Sequence, residues 1–225
     1  MMLAAGATVV VAGLGVGLGL GLTGSSHAPS HTATTPPASS GSVVGAGSPG
    51  PAGPEGVPVP QAPVLASAGS TANAQPVDGI SCDRSEQTLF HVHTHLTIFV
   101  NGRARQIPAG IGIAPPRTAQ QTPEGPFVSG GSCLYWLHTH AADGIVHIES
   151  PVRRAFTLGD FFAIWGQPLG PDQVGPATGT VTAYVNGTVH LGNPAAIALG
   201  AHVQIQLDVG SPLVAPETIH FPAGL

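Results

Sequence analysis

Three histidines and one glutamate follow one another at spacings that suit a metal site. His138 and His140 are two residues apart, and His147 and Glu149 repeat this spacing seven residues later. Side chains two residues apart on a β-strand point to the same face of the sheet. If the intervening turn has an even length, all four side chains share a face, with opposed Cβ atoms about 4.5–5.5 Å apart. Imidazole and carboxylate groups at this distance can bind one zinc or copper ion.

A second histidine run lies earlier in the chain, at His91, His93 and His95. On a β-strand these side chains also share a face, about 6.6 Å from one to the next. Metal binding is the preferred interpretation of both runs, and a hydrogen-bonded histidine network and a protein interface are the alternatives. The two runs form either one shared or dinuclear site or two separate sets. Because ligating imidazoles must be neutral, metal affinity is expected to fall as the pH drops through about 6.5.

Two cysteines, Cys82 and Cys133, flank the histidine strands. In an oxidising compartment we expect them to pair, and closing a loop of about 50 residues would contribute roughly 4 kcal/mol. The alternative is a thiolate ligand at Cys133, as in a blue-copper loop. The only methionines are Met1 and Met2, so the body of the protein offers no thioether ligand.

Alternation of apolar and polar residues predicts the strands that would carry these groups. In Leu89–Val100 the apolar side chains take one face and the histidines the other. Leu134–His140 and Ile145–Glu149 alternate in the same way. The isolated histidines are expected to have structural roles: His190, His202 and His220.

Turn and capping signals complete the predicted fold. Asn101-Gly102 and Asn186-Gly187 are typical of two-residue hairpin turns. Thr157 would begin a short helix, with Asp160 as its capping-box partner and Gly166 near its end. The sequence therefore predicts a mainly β domain, a small antiparallel sheet or sandwich-like structure with one short helix.

Composition divides the 225 residues into three segments. Residues 1–23 are apolar and Gly-rich, which predicts a signal peptide or a membrane anchor. Residues 24–78 are rich in Pro, Ser, Gly and Ala without apolar periodicity, which predicts a disordered linker. Residues 79–225 carry every aromatic residue and both cysteines, and they are the predicted β domain. Only six basic residues stand against eleven acidic ones, which excludes a nucleic-acid-binding surface.

Three sequence blocks over residues 89–225 carry a resemblance: HVHTHLTIFVNG…IPAGIGI, CLYWLHTHAADGIVHIESP and FTLGDFFAIWGQPL. They are similar to blocks of a family of uncharacterised exported prokaryotic proteins. The resemblance implies an exported domain and a shared histidine site, and it brings no established reaction.

The predicted function is an extracytoplasmic module, membrane-anchored or secreted, that binds copper or zinc through its histidine cluster. The main alternative is a metal-dependent enzyme, in which His138, His140 and His147 hold the ion and Glu149 acts as a general base. A third hypothesis is an interaction domain without a metal. Few charged groups lie outside the histidine strands, which favours binding over catalysis.

Overall fold

A computed structural model describes residues 42–69 and 74–225. The predicted signal peptide or anchor, residues 1–23, and the first part of the predicted linker lie outside the described residues. Among the residues that are described, no helix has the length and apolar character that a membrane span requires.

β-Strands dominate the described residues, as predicted. In chain order the elements are β1 (Val43–Val44), β2 (Cys82–Asp83), β3 (Phe90–Val100), β4 (Arg103–Arg105), β5 (Thr118–Thr122), β6 (Gly125–Gly130), β7 (Leu134–Tyr135), β8 (Leu137–His138), β9 (Ile145–Ser150), β10 (Phe156–Thr157), helix α1 (Leu158–Trp165), β11 (Leu169–Gly170), β12 (Gln173–Val174), β13 (Ala177–Thr178), β14 (Val181–Val185), β15 (Thr188–His190), a 3₁₀ turn (Pro194–Ala196), β16 (Ala198–Leu199), β17 (Gln204–Val209) and β18 (Leu213–Val214).

The largest sheet within the described residues contains seven strands. Its order is β15-β14-β17-β3-β9-β8, and β4 pairs with the end of β3. Neighbouring strands run antiparallel except β17 and β3, which are parallel. The long strand β3 and strand β9 lie in the interior of this sheet, so they present two full faces to the rest of the domain.

One face of the sheet is apolar and packs against α1. Leu96, Ile98 and Ile148 are buried in the same core cluster as Phe161 and Trp165 of the helix. Burying a side chain of this size contributes about 1.5–3 kcal/mol. The alternation that places these residues inward places the histidines of β3 and β9 on the opposite face.

The hairpin turns follow their local sequence signals. Asn101 and Gly102 have φ values of 51° and 71°, and Asn186 and Gly187 have 50° and 77°. Two consecutive residues with positive φ are what a type I′ turn requires, and Asn-Gly tolerates them best. Both predicted turns are confirmed.

The predicted helix is also confirmed. Thr157 Oγ1 accepts a hydrogen bond from the backbone N–H of Asp160, whose carboxylate accepts one from the Thr157 N–H. Gly166 follows the last helical residue with φ 70°, a left-handed conformation that ends the helix.

The predicted strand Leu134–His140 is interrupted at Trp136. Before Trp136, β7 pairs with β2, and after it β8 pairs with β9. The Trp136 Nε1–H donates to the carboxylate of Asp83 in β2 at 2.7 Å. The break occurs because the chain changes from one partner strand to another.

Much of the segment that composition assigns to a linker packs onto the domain. Val57 and Leu65 are buried, and Trp165 Nε1–H donates to the carbonyl oxygen of Ser67 at 2.7 Å. The prediction of a disordered linker over residues 24–78 is wrong for the described part of that segment, and the domain begins before residue 79. The segment buries scattered single residues, so it has no apolar period for sequence analysis to detect.

Cys82 and Cys133 form a disulfide, as predicted, with their Cα atoms 5.4 Å apart. The bond lies beside the paired strands β2 and β7. Both sulfur atoms are used in it, so the alternative of a thiolate ligand at Cys133 is wrong.

Candidate metal centre

The register of β9 with its two neighbours creates a row of histidines across the sheet. His147 of β9 lies opposite His93 of β3 on one side and opposite His138 of β8 on the other. Two residues further along β9, Glu149 lies opposite His91 of β3. The pairing of His138 with His147 leaves an even number of residues between them, which is the condition for the four side chains to share a face.

The structure brings six of the seven predicted ligands into two overlapping groups. In each group the ligand atoms lie within 4.8 Å of one another. The first group contains His91, His93, His147 and Glu149, and the second contains His138, His140, His147 and Glu149. All of these side chains except His91 are buried.

His138 and His140 are oriented by backbone carbonyl groups. Nδ1 of His138 donates to the carbonyl oxygen of Tyr135 at 2.8 Å, and Nδ1 of His140 donates to that of Val128 at 2.6 Å. Because a carbonyl oxygen can only accept, the ring proton of each imidazole is on Nδ1. The two Nε2 atoms therefore face each other at 3.1 Å with their lone pairs. A metal ion between them would convert this repulsion into ligation, and metal-binding histidines are commonly oriented in this way.

Protonation does not relieve this contact at neutral pH. Burial, together with His147 and His140 nearby, lowers the pKa of His138 to about 3. Burial is also the largest cause of the lowered pKa of His140. Both imidazoles are therefore neutral donors, which is the form that binds metals.

His147 lies between two carboxylates. Its Nε2 is 2.6 Å from Glu55 Oε1, and its Nδ1 is 3.3 Å from Glu149 Oε1. Burial by itself lowers the pKa of His147, but the hydrogen bonds to Glu149 and Glu55 outweigh it and raise this pKa to about 9. In the metal-free protein His147 is thus a buried imidazolium at neutral pH.

Glu149 contacts both histidine runs. Its Oε1 is 3.1 Å from His91 Nε2, and its Oε2 is 3.8 Å from His138 Nε2. Burial by itself raises the pKa of Glu149. The His147 hydrogen bond and the surrounding imidazoles outweigh burial and lower this pKa to about 2. The carboxylate is therefore ionised at any pH at which the domain would work.

His93 connects the β3 histidines to the centre. Its Nε2 lies 3.0 Å from His91 Nε2 and 3.1 Å from His147 Nδ1. Burial, then the charges of His147 and His91, lower the pKa of His93 to about 4. Like His138, it is a neutral donor at neutral pH.

The predicted ligand His95 lies outside both groups. Its Nε2 is 2.9 Å from the carbonyl oxygen of Asp143, and its Nδ1 is 3.4 Å from Thr97 Oγ1. His95 shares a strand face with His93, but one further step along β3 carries it opposite Ile145 rather than a donor. His95 is therefore a buried, hydrogen-bonded histidine, and its assignment to the cluster is corrected.

Sequence analysis missed Glu55, which belongs to the segment predicted as a linker. We call residues 52–58 the Glu55 turn: Ala52 and Pro58 form a bridge, and Gly53 N–H donates to Val57 O at 2.8 Å. The turn places the Glu55 carboxylate against His147. A lone Glu among Pro and Gly gives no local signal, and its long separation from His147 hides the contact from pattern analysis.

Carboxylate oxygens accumulate around this centre without partners. Among the described residues, three buried oxygens accept no hydrogen bond: Glu55 Oε2, Asp143 Oδ2 and Glu149 Oε2. Burial and the charge of Glu55 raise the pKa of Asp143 well above its usual range. Glu86 adds a half-exposed carboxylate, 3.5 Å from His140 Nε2. Because the pKa of Asp143 is about 8, its carboxyl is neutral at pH 7, whereas the ionised Glu149 keeps one buried oxygen without a hydrogen bond, a cost that a cation nearby would offset.

Nitrogen and oxygen donors of this kind suit Zn²⁺ and Cu²⁺, and no thiolate takes part. The arrangement can therefore hold a metal ion. Comparison of the chain with protein-family models, curated proteins and solved structures finds no match.

Proposed function

We propose that this protein is an extracytoplasmic metal-binding module that takes up copper or zinc at a buried histidine and glutamate centre. The ligands we assign first are His138, His140, His147 and Glu149. The observation that carries the proposal is the pair of Nε2 lone pairs on His138 and His140, 3.1 Å apart, with both Nδ1 atoms bound to backbone carbonyls.

This observation separates metal binding from the two alternatives without a metal. A hydrogen-bonded histidine network needs a proton between neighbouring ring nitrogens, and the carbonyl contacts leave none between His138 and His140. An interaction surface needs exposed imidazoles, whereas His138, His140 and His147 are buried. A cation is the partner that satisfies both facts.

The donor set argues for a binding role more than for Glu149 as a general base. Both carboxylate oxygens of Glu149 are directed at imidazole nitrogens, at 3.1 Å from His91 and 3.8 Å from His138. A general base must reach a proton of the substrate, whereas Glu149 is only 3% exposed and its Oε2, without a hydrogen-bond partner among the described residues, faces the Nε2 lone pair of His138. We therefore assign Glu149 as a ligand.

Three features support a location outside the cytoplasm. The disulfide between Cys82 and Cys133 is of a kind that persists in oxidising compartments. The apolar segment 1–23 has the composition of a signal peptide or an anchor. The resemblance of residues 89–225 to exported prokaryotic proteins points the same way. The same resemblance leads us to propose membership of that family.

Calorimetric titration of the full chain with Zn²⁺ and with Cu²⁺ tests the function. We expect saturable binding by the wild-type protein, and at least tenfold weaker binding by His138→Ala/His140→Ala. His190→Ala is the matched control, because His190 belongs to the hairpin strand β15 and lies in neither ligand group. Equal affinities in all three proteins, or no saturable binding by the wild type, would contradict the proposal.

A further inference from the structure

Two pairs of imidazoles flank β9 on opposite sides. His91 and His93 come from β3, and their Nε2 atoms are 3.0 Å apart. His138 and His140 come from β8 and the residues just after it, and their Nε2 atoms are 3.1 Å apart. The two nitrogens of each pair are close enough to bind one metal ion together.

One ion cannot serve both pairs. Ligand atoms about 2.0–2.1 Å from the same ion are at most about 4.2 Å from each other. Each four-residue group keeps its ligand atoms within 4.8 Å of one another, but neither group contains both imidazole pairs. His147 and Glu149 are the residues that the two groups have in common.

The Glu149 carboxylate lies between the pairs with one oxygen toward each. Oε1 is 3.1 Å from His91 Nε2, and Oε2 is 3.8 Å from His138 Nε2. Glu149 is only 3% exposed, and its Oε2 accepts no hydrogen bond from any described residue. A buried carboxylate with one oxygen directed at each of two imidazole pairs has the geometry of a bridge between two ions.

We propose that the domain binds two divalent metal ions, one at His91 and His93 and one at His138 and His140, with the Glu149 carboxylate bridging them. This proposal rests on the metal-binding function proposed above and adds the stoichiometry and the bridge.

The two ions differ in their access to solvent. His91 is 38% exposed and, with His93 and His202, lines a surface cleft of about 340 Å³. His138 and His140 are buried on the other side of β9. The ion at His91 and His93 is therefore the exchangeable one, and a chelator removes it before the ion at His138 and His140.

Metal analysis and titration of the full chain with Cu²⁺ and with Zn²⁺ measure the stoichiometry. We expect two ions per wild-type chain and one ion per chain in His91→Ala/His93→Ala. His190→Ala, the matched control, keeps two. One ion in the wild type and an unchanged ion in His91→Ala/His93→Ala overturn the dinuclear centre but leave the metal-binding function standing. No ion in the wild type overturns both.

Electron paramagnetic resonance of the Cu²⁺-loaded protein tests the bridge. Two Cu²⁺ ions joined by a carboxylate couple magnetically, so the spectrum of the wild type loses the intensity expected for two isolated ions. His91→Ala/His93→Ala recovers the signal of a single ion. Glu149→Gln weakens the coupling, and Glu124→Gln, on the exposed β5–β6 turn, does not. Two bound ions with the full uncoupled signal would overturn the bridge.

Discussion

His147 carries the proton that a metal ion must displace from this centre. The hydrogen bonds to Glu149 and Glu55 outweigh burial and raise its pKa to about 9, whereas burial lowers the pKa of His138 to about 3 and that of His93 to about 4. The imidazoles of this cluster therefore differ in charge at neutral pH, because only His147 has a carboxylate at each ring nitrogen.

We predict that metal binding at pH 7 releases about one proton. His147 is charged below about pH 9, so affinity rises about tenfold per pH unit from pH 5 to 8. His93 and His138 are already neutral in that range and add no slope. The fall in affinity thus begins near pH 9 rather than at the 6.5 expected from an unperturbed histidine. Calorimetry in buffers of different ionisation enthalpy measures the release, and binding without proton release would contradict the role of His147.

We predict that Glu55→Gln lowers the pKa of His147 in the metal-free protein by about 1–3 units, because the nearest opposite charge is removed. The 2.6 Å contact between Glu55 Oε1 and His147 Nε2 is the basis for this expectation. Nuclear magnetic resonance titration of the histidine ring protons measures the shift. Glu124→Gln is the control, since Glu124 is exposed on the β5–β6 turn. An unchanged pKa in Glu55→Gln would mean that the Glu55 turn does not contact the centre in solution.

At the scale of elements, three adjacent strands position the ligands and a short loop supports them. β3, β9 and β8 bring His93, His147 and His138 into one row. The loop before β5 lies beneath β8, where the Thr139 N–H donates to the carbonyl oxygen of Ile111 at 3.0 Å. Gly112 in this loop has φ 71°, and a Cβ there would lie 2.3 Å from the Leu137 carbonyl oxygen and 3.0 Å from the His138 Cβ.

We predict that Gly112→Ala weakens metal binding by about tenfold or more, although Gly112 is not a ligand. The added methyl group must displace the backbone of β8 and move His138 with it. Gly187→Ala is the matched control: Gly187 has φ 77°, but a Cβ there would meet nothing within 4 Å. Both variants bear the conformational cost of about 1–2 kcal/mol for a left-handed residue. Calorimetric titration separates them, and equal affinity in the two would contradict the supporting role of the loop.

At the scale of the whole molecule, the disulfide is separate from the histidine and glutamate cluster. The bond joins residues 51 positions apart, near β2 and β7, and no cysteine is left as a ligand among the described residues. Cross-linking a loop of this length stabilises the folded chain chiefly by restricting the unfolded one.

We predict that Cys82→Ser/Cys133→Ser lowers the free energy of unfolding by roughly 4 kcal/mol and leaves the bound metal in place. Urea denaturation measures the first effect, and elemental analysis of the folded variant measures the second. Loss of metal from a variant that is still folded would show that the disulfide also holds the histidine strands in register.

Local sequence was sufficient for the features that depend on neighbouring residues. Alternation assigned His91 and His93 to one strand face, Asn-Gly identified two hairpin turns, and Thr157 with Asp160 identified the start of the helix. Each of these is set within about ten residues, by the period of a strand or by the conformational preference of a turn. With only two cysteines in the chain, the disulfide had one pairing available.

Tertiary structure alone decided which of these local pieces share a site. The positions of β3 and β8 on either side of β9 bring the two histidine runs together. At the end of the β3–β9 pairing, His95 lies opposite Ile145, which offers no ligand atom. The same packing brings Glu55 to His147, 92 residues away, from a segment whose composition indicates a linker. The physical reason is that a strand's period specifies which way a side chain faces. Which residues meet that face depends on how the whole chain packs.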